Sequence, residues 1–205
     1  MAAEQKQTGI ERVGAAFAGK GCGKAEPAFM PFVTAGFRKK ADTVKILLQF
    51  QESGASLIEL GVPFSDPMAD GDTIQKASHE ALTENEGGVT LADVLGMVTE
   101  ARAAGLVVPV ILMGYYNPFM QYGEAKLMKD CAVAGVDGFI CVDLPAGEGA
   151  EFHRLCRAEG LCFVPLVAPT TTDDRMKEIS AGADGFVYCV SLTGVTGART
   201  ELPSE

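Results

Sequence analysis

Short apolar runs alternate with helical patterns along nearly the whole chain, and that alternation leaves few folds open. The runs span residues 28–34, 56–60, 108–113, 138–142, 162–166 and 185–190. Each is apolar on both faces, as strands buried in a parallel sheet must be. Between them lie helical patterns over residues 41–53, 73–85, 91–104, 123–134, 148–159 and 172–181. The first keeps Val44, Leu47, Leu48 and Phe50 toward a core, and Asp173 with Asp174 suit the positive end of the last helix. Several helices close on a recurring phrase: Ser53-Gly54-Ala55, Ala134-Gly135-Val136-Asp137-Gly138 and Ala181-Gly182-Ala183-Asp184-Gly185. In each, a glycine can take the left-handed C-cap and the next strand starts at once, so the repeat is architectural.

Strict βα alternation permits an open doubly wound sheet or a closed barrel. The open sheet usually carries a Gly-x-Gly-x-x-Gly turn after its first strand, whereas here that strand runs into Thr34-Ala35-Gly36-Phe37. Polar residues instead gather after several strands, the habit of a (β/α)8 TIM barrel whose loops serve one site. Six strands are legible in 205 residues, where such a barrel has eight in roughly 250. The sequence therefore predicts a single barrel domain over residues 1–205 that lacks its last two βα units. Its first and sixth strands would each present an unpaired edge, which favours association.

Charge and cysteine usage narrow the function. A net charge of −10 gains no counterion release at nucleic acid and disfavours an anionic membrane surface, so neither is an expected partner. The six cysteines, at 22, 131, 141, 156, 162 and 189, form no Cys-x-x-Cys pair and mostly have apolar neighbours. Buried reduced thiols in a reducing compartment, the cytoplasm or an organelle stroma, are expected. His153 and Cys156 share a helix face, but two ligands make no metal site, and no metal is expected. Residues 1–7 are polar with no apolar stretch behind them, unlike a signal peptide, and Glu4 and Glu11 are unlike a transit peptide. The uncharged stretch 103–123 is broken by Pro109, Gly114, Asn117 and Pro118, which reads as a buried strand and a loop rather than a membrane span.

The densest chemistry lies between residues 57 and 75. Glu59 falls inside an apolar strand, where a carboxylate is expensive unless it is paired or neutral. A raised pKa would suit it to proton transfer near neutral pH. Equally, a glutamate at a strand end can hold a neighbouring loop by hydrogen bonds, and the residues alone do not separate the two. The following loop is stiffened by Pro63 and Pro67 and ends on Asp70-Gly71, where an aspartate can serve simply as a turn or cap residue.

The run from Glu59 to Gln75, Glu-Leu-Gly-Val-Pro-Phe-Ser-Asp-Pro-Met-Ala-Asp-Gly-Asp-Thr-Ile-Gln, resembles the signature of the tryptophan synthase alpha family. Collinear companions extend the resemblance: Phe29 to Gly36, Met113 to Pro118, Val142-Asp143-Leu144-Pro145 and Val190 to Gly197. The resemblance implies a lyase that cleaves indole-3-glycerol phosphate. Glu59 would be the catalytic acid–base, and Asp70 the second carboxylate, holding the indole N–H. Phe32, Met113, Tyr115, Val142 and Tyr188 match positions around the indole ring, which packing at strand ends would equally explain. Thr196 and Gly197 match the mobile loop over the site, and Gly197 the phosphate-binding group.

The resemblance also implies a β subunit or fused β domain as partner, which uses pyridoxal phosphate, while the alpha reaction needs no cofactor. The loop from Pro63 to Pro67 matches the family's contact with that partner. A module that only docks on and activates the partner is the alternative. A related phosphosugar barrel would expect a lysine on the strands, and none is found. Asp72 stands where the family usually has proline, which predicts a less rigid loop after Asp70.

Overall fold

The computed structural model describes residues 7–18, 26–145 and 148–190. Strands β1 (Phe32–Thr34), β2 (Ile58–Gly61), β3 (Val110–Gly114), β4 (Gly138–Cys141) and β5 (Cys162–Val164) form one parallel sheet in sequential order. β6 (Leu166–Val167) and β7 (Tyr188–Cys189) form a second parallel pair. A sequential order has no point at which the winding reverses, so this is the arc of a barrel and not a doubly wound sheet. β5 and β6 are one strand position broken at Pro165, which has no N–H for a ladder; its carbonyl instead accepts from the Tyr188 amide at 2.9 Å. The described residues thus supply six strand positions of a (β/α)8 barrel.

Eight helices among the described residues accompany the strands: α1 (Gly9–Phe17), α2 (Lys40–Glu52), α3 (Asp72–Thr83), α4 (Leu91–Ala103), α5 (Tyr116–Tyr122), α6 (Glu124–Ala134), α7 (Ala150–Ala158) and α8 (Asp173–Ala181). Side chains alternate along each strand, which divides the core into two layers. Ile58, Leu60, Val110, Leu112, Phe139 and Phe163 pack with the helices, while Leu57, Ile111, Ile140, Cys162 and Val164 fill the interior with Val13 of α1. The outer layer holds a group of edge-to-face rings, with Phe139 and Phe152 5.4 Å apart and nearly perpendicular.

Three elements differ from the sequence expectation. β1 starts only at Phe32, because Pro31 has no N–H to pair; the Pro31 carbonyl still accepts from the Glu59 amide at 3.0 Å. α1 lies outside the apolar runs, yet Thr8-x-x-Glu11 is a capping box and forms as one, with the Glu11 amide donating to Thr8 Oγ1 at 3.2 Å. The stretch after β3 is helix α5 and not a loop. Pro118 falls at its third residue, where the amide has no partner inside the helix in any case. Cysteines follow expectation in part: Cys131, Cys141, Cys156 and Cys162 are buried, Cys189 is exposed, and Cys22 lies outside the described residues. None of the described helices is long and apolar enough to cross a membrane.

The recurring Gly-x-Asp-Gly phrase acquires a physical role. Asp137 is buried ahead of β4. It accepts from Arg12 Nε (2.6 Å), Arg102 Nη2 (2.6 Å) and the Val110 amide of β3 (2.7 Å). Asp184 repeats the plan two units later, ahead of β7, taking His153 Nε2 (2.7 Å), Arg157 Nε (2.5 Å) and the Phe163 amide (3.2 Å). Each carboxylate clips helices to the amide of a neighbouring strand. His153 is thus paired with Asp184, while the Cys156 thiol lies against Met128.

Burial raises the Asp137 carboxyl and lowers the Arg102 guanidinium, so desolvation outweighs the pull of each charge on the other. Such a pair adds little over an apolar replacement, but removing one partner strands the other. Asp137→Ala should therefore lower the unfolding free energy by about 3 kcal/mol, and Asp137→Asn by less, because it keeps an acceptor for Val110. Urea denaturation measures both; a loss below about 1 kcal/mol for the alanine variant would show that the clip is not holding these elements together.

Candidate active site

The polar residues of interest collect at the C-terminal ends of the strands, opposite α1. Glu59 is the second residue of β2, paired in register with Phe32 and Ile111. Alternation turns it with Leu57 and Gly61 toward the interior. It is 4% exposed, and among the described residues no donor reaches its carboxylate. The reading in which Glu59 ties down a loop finds no hydrogen bond there. Burial first, and the Asp70 charge second, raise its carboxyl to about 7.

Asp70 ends the turn between β2 and α3 and is also buried. Burial raises its carboxyl, and a hydrogen bond from Tyr115 opposes the rise. The turn is built by local bonds: the Asp70 amide donates to the Pro67 carbonyl at 3.1 Å, and Gln75 Nε2 donates to the Asp70 carbonyl at 2.8 Å. Asp72 opens α3 behind Gly71, a first-turn position that suits proline and acid alike. The turn therefore has anchors other than a proline at that place.

One cavity gathers Asp70 with Phe32, Met113, Tyr115 and Val142, four of the ring-pocket positions expected from the sequence. Gly61 makes room for the Phe32 ring, since a Cβ there would lie 2.6 Å from Phe32 Cζ. Glu59 and Tyr188 stand beside the cavity and do not line it. The Tyr188 hydroxyl is pushed up to about 12 by burial and then by the charges of Glu59 and Asp70, so its ring neighbours both carboxylates. Thr196 and Gly197 lie outside the described residues. A larger cavity, about 370 Å³, lies at the other end against Arg12, Arg102 and Asp137, whose polar groups are already engaged in the clip. No lysine occurs on any described strand.

Residues 20–205 fit the model of the family described as tryptophan synthase alpha chain. The chain belongs to the tryptophan synthase alpha chain family. It is 50% identical over 175 residues to the tryptophan synthase alpha chain of Roseiflexus castenholzii, an alignment covering 85% of this chain and 66% of that one. It is 49% identical over 178 residues to a tryptophan synthase of Saccharomyces cerevisiae, covering 87% of this chain and 25% of the yeast protein. A chain in the structure of the tryptophan synthase α2β2 complex of Pyrococcus furiosus superimposes with a TM-score of 0.78 and 43% identity, over 86% of this chain and 69% of that one. The chain thus spans just under two thirds of the Roseiflexus protein's length and a quarter of the yeast protein's.

Within this alpha-family barrel, two polar side chains not singled out by the sequence share the Asp70 cavity. Thr34 is buried at the end of β1, and its hydroxyl has no hydrogen-bond partner among the described residues. Ser78 is buried one turn after Ile74 on α3, the spacing that puts both on one face. A polar residue at the C-terminal end of an apolar strand is the signal that could have marked Thr34.

The raised Glu59 carboxyl links stability to pH. Below about 4.5 it is protonated folded or unfolded, and its burial carries no charge penalty. Between 4.5 and 7 the native state keeps a proton that the unfolded chain loses, so stability falls as pH rises. The full loss is about 3 kcal/mol. Glu59→Gln should accordingly be more stable than the parent at pH 8, with the gap closing toward pH 4. Denaturant melts at the two pH values test this, and an equal gap at both would mean that Glu59 titrates as an ordinary carboxylate.

Proposed function

We propose that this chain carries the lyase half of tryptophan synthesis, the retro-aldol cleavage of indole-3-glycerol phosphate to indole and glyceraldehyde-3-phosphate. The observation that supports it most is the pair of buried carboxyl groups, each raised by burial: Glu59 inside β2 and Asp70 in the turn that follows it. Indole leaves poorly as a carbanion. A proton delivered to its C3 turns it into a good leaving group and puts positive charge on the ring nitrogen. Asp70 is the carboxylate to hold that N–H and stabilise the charge. Glu59, near 7, is poised both to give a proton and to accept one. Removal of the side-chain hydroxyl proton then breaks the carbon–carbon bond, leaving the aldehyde of glyceraldehyde-3-phosphate and neutral indole.

Two carboxyl groups suffice for these proton transfers, and in this reading pyridoxal phosphate serves only the β partner. That partner, separate or fused, is suggested by the likeness to the α2β2 complex. The loop from Pro63 to Pro67 is the candidate contact: it leads directly to Asp70 and carries Phe64 against Tyr115.

Indole release is the measurement for the chemistry. Glu59→Gln, which keeps the shape and loses the proton, should cost at least ~100-fold in turnover. Asp70→Asn should also cripple turnover while leaving the thermal melt intact. Unchanged release from either variant would remove that residue from the reaction. For the partner, titration against a tryptophan synthase β subunit should show weaker binding by Pro63→Gly and Asp66→Ala, and equal affinity for parent and both variants would move the contact elsewhere.

A further inference from the structure

Tyr115 makes more of the 62–71 segment than the wall of a ring pocket requires. It lies one residue past β3 and is buried. Its hydroxyl accepts the Ala69 amide proton at 2.9 Å and donates to Asp70 Oδ2 at 3.1 Å. Its ring rests on Phe64, with centroids 5.2 Å apart and planes tilted by 32°. One side chain therefore touches the beginning of the turn, its penultimate residue and its terminal carboxylate.

A phenol has one proton. With Ala69 occupying a lone pair, that proton is directed at Asp70, and Asp70 Oδ2 is engaged. The other oxygen, Oδ1, accepts no hydrogen bond among the described residues, in a carboxylate that lines the cavity. We propose that Tyr115 is a positioning residue. It orients the Asp70 carboxylate so that one oxygen is presented to a ring N–H. Through Phe64 it also couples that orientation to the proline-rich loop. The inference rests on the reading of Asp70 as the carboxylate that holds the substrate's N–H.

The alternative is that Tyr115 only supplies apolar surface, in which case its hydroxyl is dispensable. The groups facing Asp70 are Glu59 of β2, Tyr115 after β3 and Tyr188 of β7. Among them Tyr115 supplies the hydrogen bond that favours the charged carboxylate, and its own hydroxyl is pushed well above the usual phenol range by burial. It therefore remains a donor throughout the neutral range.

Tyr115→Phe keeps the ring and removes the donor. A bond to a charged acceptor is worth enough for about a tenfold fall in kcat, with KM little changed, because the ring surface remains. The acid limb of the kcat/KM–pH profile should move to higher pH, since Asp70 loses a bond that favours its ionised form. In an Asp70→Asn background, Tyr115→Phe should change kcat by less than about twofold. Carbon-13 titration of the aspartate carboxyls in the parent and in Tyr115→Phe reads the same bond without substrate, and the Asp70 titration should move upward. Phe64→Leu should move it in the same direction by less.

An unmoved Asp70 titration in Tyr115→Phe overturns the proposal whatever the activity shows. So does an equal fall in kcat with and without the Asp70 carboxylate. Full activity of Asp70→Asn with a shifted titration would instead sink the reading of Asp70 in the chemistry and leave the positioning intact.

Discussion

Parallel strands that are covered on both faces leave almost no place for polar chemistry except their two ends. The sheet of this chain obeys that constraint closely. Inward residues such as Leu57, Ile111 and Ile140 fill the interior, and outward residues such as Leu60, Leu112 and Phe139 meet the helices. Charged side chains are displaced to the margins, where the chain enters or leaves a strand. The two ends are then put to different uses. At the N-terminal end Asp137 and Asp184 spend their lone pairs on helix cations and strand amides. At the C-terminal end Asp70 and Tyr115 bond one another beside a cavity.

Glu59 breaks the pattern, because it sits within a strand and faces the interior without a donor among the described residues. Nothing in the packing benefits from a carboxylate there. Its surroundings make the charged form harder to hold: burial, and a second carboxylate in Asp70. The result is a carboxyl raised to about 7, which a stable fold alone does not call for. The destabilisation at this site is balanced elsewhere by a dense apolar core.

The arrangement also separates what must be rigid from what must be precise. The clips at the N-terminal end bind α1, α4 and α7 to the sheet, so strand ends on the opposite side emerge from a fixed base. The turn that carries Asp70 is short, starts on Pro63, and is tied by Gln75 from the helix behind it and by Tyr115 from the next strand. Asp70 is therefore placed by two neighbouring βα units and not by its own loop alone. That is how a barrel of independent-looking units builds one site from several.

Much of this was legible in the residues. Alternation of apolar runs and helices, with glycine caps between them, calls for a parallel α/β sheet, open or closed, because period and capping are local properties. The resemblance around Glu59 and Asp70 likewise lies in the linear order. What the chain order could not decide was everything that depends on a partner far along it. Thr8-x-x-Glu11 marks a helix start, but not that α1 would pack Val13 into the strand interior. Pro165 marks a break, but not that its carbonyl would take the amide of Tyr188. The aspartates of the Gly-x-Asp-Gly phrase read as part of a turn until the fold brings Arg12 and Arg102 to one of them and His153 to the other. How far the Glu59 carboxyl is raised was open in sequence, because a pKa depends on burial and on neighbouring charge, and both are set only when the fold buries it beside Asp70.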